Sequence, residues 1–339
     1  MTASALLPDD LRAPPAVGDF IALAPDFGTR FMLVVDTEEE FDWGAPFNRE
    51  SRSVTICEAM RLGQDYFRKA GVKPLYVTDY PVIDDAEAGS MLAEWQASGE
   101  ADVGAHCHPW VNPPHEEVVS VAHSFAGNLP EALERAKIMA LRDRIAEVTG
   151  RAPLSFRAGR YGVGPNTGRI LADLGFRLDT SVRSRFDYSA QAGPDFSGLP
   201  VKPWRAGPDG CLAELPLSTA WAGPLGRVAN RLQPLIERGG LAAGVLSRLH
   251  LLERIPLTPE GVSAAEAMRG IDALLAEGAP LLMFSFHSPT LAPGNTPYVR
   301  DADDLARFYG WGGEVLEHLA RRGVNAAGQG DVLAACAPR

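Results

Sequence analysis

Gly104-Ala105-His106-Cys107-His108-Pro109-Trp110 sets two histidines two residues apart, directly after the alternating run Asp102-Val103-Gly104-Ala105. In an extended strand, residues two apart share a face, so His106 and His108 point into one space while Cys107 points away. Two imidazoles aimed together suit a divalent metal. A His-x-His pair taken alone is more often structural than ligating, so the decision rests on what else converges. Asp36 and Glu38 follow the apolar run at 31–35 with the same two-residue spacing. Arg157 ends the short run at 154–157, and His287 ends the run at 281–287. One carboxylate with two imidazoles leaves an open position on a metal, the pattern of a catalytic rather than a structural site. A second carboxylate can then serve as general base, and a histidine across the site can protonate a leaving group. Arg157 is costly to bury without an anion, and Asp36 is its natural partner.

For these residues to meet, the strands that carry them must end on one rim. The run at 31–35 reads as a strand buried on both faces. A helix at 54–70 closed by Gly71, a strand at 75–79, a helix at 86–98 closed by Gly99 and the histidine strand then alternate, as a parallel sheet or barrel requires. Parallel barrels gather their chemistry at the carboxyl ends of the strands. The rhythm continues with a helix at 131–149, the strand at 154–157, a helix at 165–174, short strands at 176–181 and 212–216, a helix at 264–277, the strand at 281–287 and a helix at 304–322. The long irregular connection at 109–130 reads as a wall or lid over the site, with His115 and His123 as lesser ligand candidates. Glu39 and Glu40 read as a solvated acidic turn. Residues 1–27 read as an arm and 326–339 as a tail, flanking a single domain at 28–325. Within it, 221–262 breaks the alternation. Leucines and valines at helical spacing, with five arginines among them, predict a helical insertion whose apolar stripe packs on the protein or on a second copy of the chain.

Composition removes several classes of function. With 339 residues, 46% of them hydrophobic, the chain can bury a sizeable core. Its net charge of −11 and the lack of any Lys/Arg-rich block argue against a nucleic-acid partner. No apolar run approaches the ~18 residues of a membrane span, and the N-terminal residues lack the basic and apolar regions of a signal peptide. The four cysteines, Cys57, Cys107, Cys211 and Cys336, form no Cys-x-x-Cys and read as free thiols, so a cytoplasmic location is expected.

In the order of its motifs the chain resembles the polysaccharide deacetylase family of carbohydrate esterases, with its nodulation-protein-type homology domain. The resemblance runs over residues 29–325. Asp36-Thr37-Glu38 resembles the first motif, Gly104-Ala105-His106-Cys107-His108 the histidine motif, Phe156-Arg157-Ala158-Gly159 the arginine motif, and Phe284-Ser285-Phe286-His287-Ser288-Pro289 the last one. The phrases Phe-Arg-Ala-Gly-Arg-Tyr-Gly and Asn-Leu-Pro are most similar to a bacterial subgroup associated with lipopolysaccharide biosynthesis. The resemblance implies a distorted (β/α) barrel of about seven parallel strands and one divalent ion, Zn first, held by Glu38, His106 and His108. It implies Asp36 as general base, Arg157 as the group orienting it, and His287 as general acid. Trp43, Trp110 and Tyr161 become candidates for substrate contact.

Three departures stand out. Trp110 occupies the place of the family's second histidine, four residues after the first, so His108 substitutes for it. Glu38 replaces an aspartate. No aspartate stands at Pro203-Trp204 to pair with His287, which leaves Glu214 and Asp79 as alternatives. The expected activity is metal-dependent N-deacetylation of an acetylated amino sugar in polysaccharide or lipopolysaccharide metabolism. Hydrolysis of another non-peptide C–N bond on the same site, and an inactive sugar-binding barrel, are the competing readings.

Overall fold

The computed structural model describes residues 9–226 and 251–336. Apolar runs become strands and amphipathic runs become the helices that cover them. In chain order, β1 (Arg30–Thr37), α1 (Cys57–Lys69), β2 (Leu75–Thr78), the short α2 (Tyr80–Asp84), α3 (Ala86–Ser98) and β3 (Asp102–Cys107) form the first half. The chain continues through α4 (Glu131–Thr149), β4 (Ser155–Ala158), α5 (Thr167–Asp173), β5 (Leu178–Asp179), β6 (Trp204–Ala206) and β7 (Leu212–Glu214). It ends with β8 (Thr219–Ala222), β9 (Glu253–Pro256), α6 (Ala264–Ala276), β10 (Leu281–His287), α7 (Ala302–Arg321), β11 (Asn325–Ala326) and α8 (Gln329–Ala335). Gly71, Gly99 and Gly150 stand just past helices with positive φ, where a side chain would be strained.

Seven strands run parallel in the order β10-β1-β2-β3-β4-β5-β7, with β6 antiparallel on the outer edge and β11 pairing with β1. The result is a curled, mostly parallel sheet, a distorted (β/α) barrel as the alternation predicts. Register sets the chemistry level around one rim: Asp36 lies beside His287, and His106 beside Arg157. Strand parity sorts the rest. Met32, Val34, Leu75, Val77, Leu178, Ala213, Leu281 and Met283 fill the barrel interior. Phe31, Val35, Tyr76, Val103, Cys107, Phe156 and Phe284 face outward under the helices. Each of the valine, leucine, methionine and phenylalanine side chains among them contributes about 1.5–3 kcal/mol on burial.

No ladder joins β7 to β10. The gap is spanned by the chain leaving β7: Ser218 N–H donates to the Met283 carbonyl at 3.3 Å, and Met283 N–H donates to Ser218 Oγ at 2.9 Å. Leu257, after β9, bridges Ser218 and Ser285 through its backbone. The floor of the barrel is plugged from both ends of the chain. Ile21 N–H donates to Pro203 and Ala24 N–H to Ala335, while Phe27, Val332 and Ala335 join the interior core. The expected tail at 326–339 is therefore a strand and a helix as far as Cys336, because its apolar residues close the end of the barrel opposite the site. Trp204, beside the expected place of a histidine partner, lies on the edge strand and bridges Phe20, away from His287.

The helical reading of 221–262 changes at its flanks. Thr219–Ala222 and Glu253–Pro256 pair as an antiparallel ribbon, because burying the whole of Thr219–Ala222 and the alternate residues Glu253 and Ile255 outweighs the helical spacing of the leucines. The remainder of that stretch, 227–250, lies outside the described residues.

The irregular connection at 109–130 is a wall held in place by one buried cation. Lys137 of α4 has no exposed surface. Its Nζ donates to the carbonyls of Pro109 at 2.9 Å, Asn112 at 2.6 Å and Pro114 at 2.6 Å, and pairs with Glu117 at 3.0 Å. Lys137→Met would leave Glu117 and three carbonyls buried without their donor. A loss of about 3–5 kcal/mol is expected in urea unfolding, and a loss under about 1 kcal/mol would show that the wall holds without it.

Candidate metal centre and active site

Three buried side chains from two strand ends point at one spot. Glu38 follows β1, His106 is the next-to-last residue of β3, and His108 follows that strand; one ligand atom from each lies within 4.8 Å of the others. Glu38 Oε2 is 3.6 Å from His106 Nε2 and 3.3 Å from His108 Nε2. Bonds of about 2.1 Å in a tetrahedron place neighbouring donors roughly 3.4 Å apart, so the spacing fits one ion such as Zn. The other ring nitrogens are already engaged. His106 Nδ1 is 3.2 Å from the Arg157 carbonyl, and His108 Nδ1 is 2.8 Å from Glu39 Oε2. This leaves both Nε2 atoms turned to Glu38, the arrangement in which outer partners orient metal-ligating histidines.

Charge points the same way. Burial holds both imidazoles below their ordinary range, His108 to about 4, so they are neutral and able to ligate at neutral pH. Burial pushes Glu38 up, and its Oε1 is buried with no hydrogen-bond partner. A buried carboxylate with an orphaned oxygen beside two neutral imidazoles calls for a cation. The donor set therefore fits a divalent ion.

Beside this cluster lies a second arrangement. Arg157, wholly buried on β4, makes an ion pair from Nη1 to Asp36 Oδ1, and its Nε donates to Thr180 Oγ1 at 3.1 Å. Burial works against the Asp36 charge, but Arg157, His106 and His287 outweigh it and hold the carboxyl below its usual value. His287 Nε2 faces Asp36 Oδ2 at 3.8 Å. Its Nδ1 lies 2.7 Å from Glu260 Oε2, and its backbone N–H donates to Glu260 Oε1 at 3.0 Å. Burial lowers the His287 pKa, yet Glu260, Glu38 and Asp36 together raise it to about 10.

The partner of His287 is thus Glu260, and neither Glu214 nor Asp79. Glu214 shares a buried carboxyl pair with Asp179 beneath the site, where burial pushes both up. Asp79 caps α2 and accepts the Glu39 backbone N–H at 2.9 Å. Glu39 is not solvated either. It is wholly buried, accepts from Trp110 Nε1 at 2.9 Å, and sits with Asp79 behind His108, where burial pushes both carboxyls up. Glu40 is the acid of that turn that reaches the surface side, accepting from Thr55 and Ser53. Trp110, standing where a further histidine was expected, stacks on His108 with ring centres 4.3 Å apart. It fixes the imidazole that takes over that place.

A cavity of about 330 Å³ opens over these groups, within the usual range of small-molecule sites. Asp36, Glu38, His106, His108 and His287 line it, as do Trp43, Trp110 and Tyr161. Trp43 stands edge-on to His287 at 4.9 Å. Trp110 is only 2% exposed and serves as wall. His115 and His123 stay outside this group; His123 Nδ1 bonds to the Val118 carbonyl at the surface. Cys107 faces the outer core with its thiol pushed up to about 12 by burial, and all four cysteines are free.

Glu39 and Glu260 are the site residues that sequence reasoning missed, and Asp79, expected only as a possible partner of His287, stands behind His108 instead. Asp79 carries a signal, since it ends a buried strand next to β1. Glu260 carries none: it sits in the loop before α6 and meets His287 only through the fold.

No family model matches the chain, and no curated protein matches it. Solved structures do. A candidate polysaccharide deacetylase from Mycobacterium smegmatis is similar at a TM-score of 0.50 and 17% identity, over 94% of this chain and 93% of that one. The Puue allantoinase is similar at a TM-score of 0.52 and 14% identity, over 91% and 90%. At such identities the likeness establishes the shared fold. No helix among the described residues is long and apolar enough to cross a membrane.

The Glu260–His287 pair has a pH signature. A raised folded pKa stabilises fully below the ordinary value of 6.5 and loses that contribution as pH rises toward about 10. Glu260→Gln removes the main attraction. The His287 imidazole, followed by NMR, is expected to titrate at least about one unit lower, and the variant's unfolding free energy should fall less than wild type's between those pH values. An unmoved titration would mean that Glu260 does not set the charge of His287.

Proposed function

We propose that the protein is a metal-dependent hydrolase that removes the N-acetyl group of an acetylated amino sugar, in the manner of the polysaccharide deacetylases it resembles. One observation carries the reading. A three-ligand cluster fit for a divalent ion lies beside a base–acid pair, the buried Asp36 and the half-buried His287, on a single cavity. Glu38, His106 and His108 would hold the ion, with Zn favoured by two imidazoles and one carboxylate. When bound, it would supply Lewis acidity at the amide carbonyl.

The chain's own residues do the rest. Asp36, kept ionised by Arg157, takes a proton from the attacking water as oxygen joins the carbonyl carbon. His287 is charged at neutral pH and its Nδ1 is occupied by Glu260, so Nε2 gives its proton to the amine nitrogen as the C–N bond breaks. The products are acetate and a free amine. Glu39 and Trp110 hold the His108 ring, and Trp43 and Tyr161 offer faces to a sugar ring. The C–N bond of a different substrate could be cut on the same groups, since a fold does not choose the substrate.

Acetate release from a panel of N-acetylated amino sugars, with metal content measured on the same protein, tests the proposal. Wild type is expected to bind close to one ion per chain and release acetate. His106→Ala should lose the ion. Asp36→Asn should keep it and lose about 10²–10⁴ in kcat. Metal lost in Asp36→Asn would exchange the roles of Asp36 and Glu38. Metal bound with no acetate from any sugar would favour another C–N substrate, and neither metal nor turnover would leave a sugar-binding barrel.

A further inference from the structure

The cavity is not uniform in charge. At the metal end, Asp36 is matched by Arg157 and His287, and Glu38 belongs to the three-ligand cluster. Two further guanidiniums line the same cavity, Arg160 and Arg183. Neither is paired with a carboxylate among the described residues. Arg183 Nη1 bonds to the neutral Tyr188 hydroxyl at 3.1 Å, and its guanidinium lies over the Phe186 ring at 4.1 Å and the Tyr161 ring at 5.3 Å. Arg160 bonds to Ser124 Oγ and the Gln191 side-chain oxygen, and lies over Phe125 at 4.1 Å and Phe47 at 5.0 Å.

In a chain with 43 acidic residues against 32 basic ones, leaving two arginines of one cavity without an acid is a costly choice. Elsewhere, buried or half-buried cations do find acids: Arg157 meets Asp36, Lys137 meets Glu117, and Arg185 meets Glu277. The backbone reinforces the point. Arg160 and Tyr161 both adopt positive φ, 54° and 61°, although neither is glycine. Such residues are strained and persist where the surroundings hold them, as at ligand clamps. Neutral hydroxyl, amide and aromatic partners orient a guanidinium without neutralising it, which leaves its fork ready for a two-oxygen anion.

We infer that Arg183, aided by Arg160, forms an anion subsite in this cavity, so the substrate is an acetylated amino sugar that carries a phosphate or a carboxylate. The substrate class rests on the deacetylase reading; the subsite itself rests on the two unpaired guanidiniums. The anion binds at the arginine end, and the acetamide reaches the metal end, where Asp36 already has its cations in Arg157 and His287. A neutral sugar would leave both guanidiniums uncompensated.

Isothermal titration calorimetry at low salt separates the possibilities, with three probes: methyl N-acetylglucosaminide, N-acetylglucosamine 1-phosphate and N-acetylmuramic acid. Wild type is expected to prefer at least one anionic probe by tenfold or more over the neutral one, and the preference should shrink as salt rises. In Arg183→Gln the ratio of neutral to anionic Kd should fall by roughly tenfold to a hundredfold, the worth of a charged hydrogen bond. Arg183→Lys keeps the charge and should retain part of the preference, and thermal melts on both variants exclude unfolding. A preference for the phosphate probe identifies a phosphorylated sugar; one for the carboxylate probe identifies an acidic sugar. Equal affinities in wild type, or a ratio unmoved in Arg183→Gln, would overturn the subsite and make the arginines wall struts. Acetate release is read in parallel. If no probe releases acetate but the Arg183-dependent preference persists, the deacetylase reading fails and the anion subsite stands. If acetate comes equally from neutral and anionic probes, with equal affinities, the reverse holds.

Discussion

A guanidinium with no access to water must be met by an anion, and Arg157 is wholly buried beneath the cavity floor. Its side chain meets that demand with Asp36, across the sheet, and so fixes the carboxylate in place and in its charged form. Its carbonyl oxygen faces His106 Nδ1, which turns the other nitrogen of that ring toward Glu38. One residue therefore couples the two halves of the site, the proposed base Asp36 through its side chain and the candidate ligand cluster through its backbone. The parallel register makes this possible, because it sets Arg157 level with His106 and Asp36 level with His287. The site inherits the rigidity of four strands rather than the freedom of four loops.

Strand parity and the alternation of strands with helices were legible because they follow from the periodicity of each segment alone. The run at 31–35, the histidine strand and the run at 281–287 announce buried parallel strands, and their end residues follow from the count of two. Asp36, His106, Arg157 and His287 could be aligned on one rim before any coordinates. Several helix bounds were equally plain: Ala86–Ser98 and Glu131–Thr149 both end at a glycine with positive φ.

What escaped depends on contacts between distant segments. Glu39 looked like one more acid in a soluble turn; it is buried because Asp79, His108 and Trp110 close around it. Glu260 reaches His287 only because the chain after β9 crosses the barrel mouth. The leucine spacing near 251–256 suggested a helix, yet ribbon pairing with Thr219–Ala222 prevails there. Each case is a tertiary contact overruling a local preference, and no window of sequence contains both partners.

The sheet's unpaired margin has a consequence for how this chain tolerates change. Between β7 and β10 the barrel is bridged by single backbone bonds at Ser218 and Leu257, and the ribbon of Thr219–Ala222 with Glu253–Pro256 stands at that margin. No strand pair that aligns Asp36, His106, Arg157 and His287 includes a residue of that ribbon. A change confined to the ribbon therefore leaves the register of the rim untouched: the margin of the sheet is mechanically decoupled from its centre.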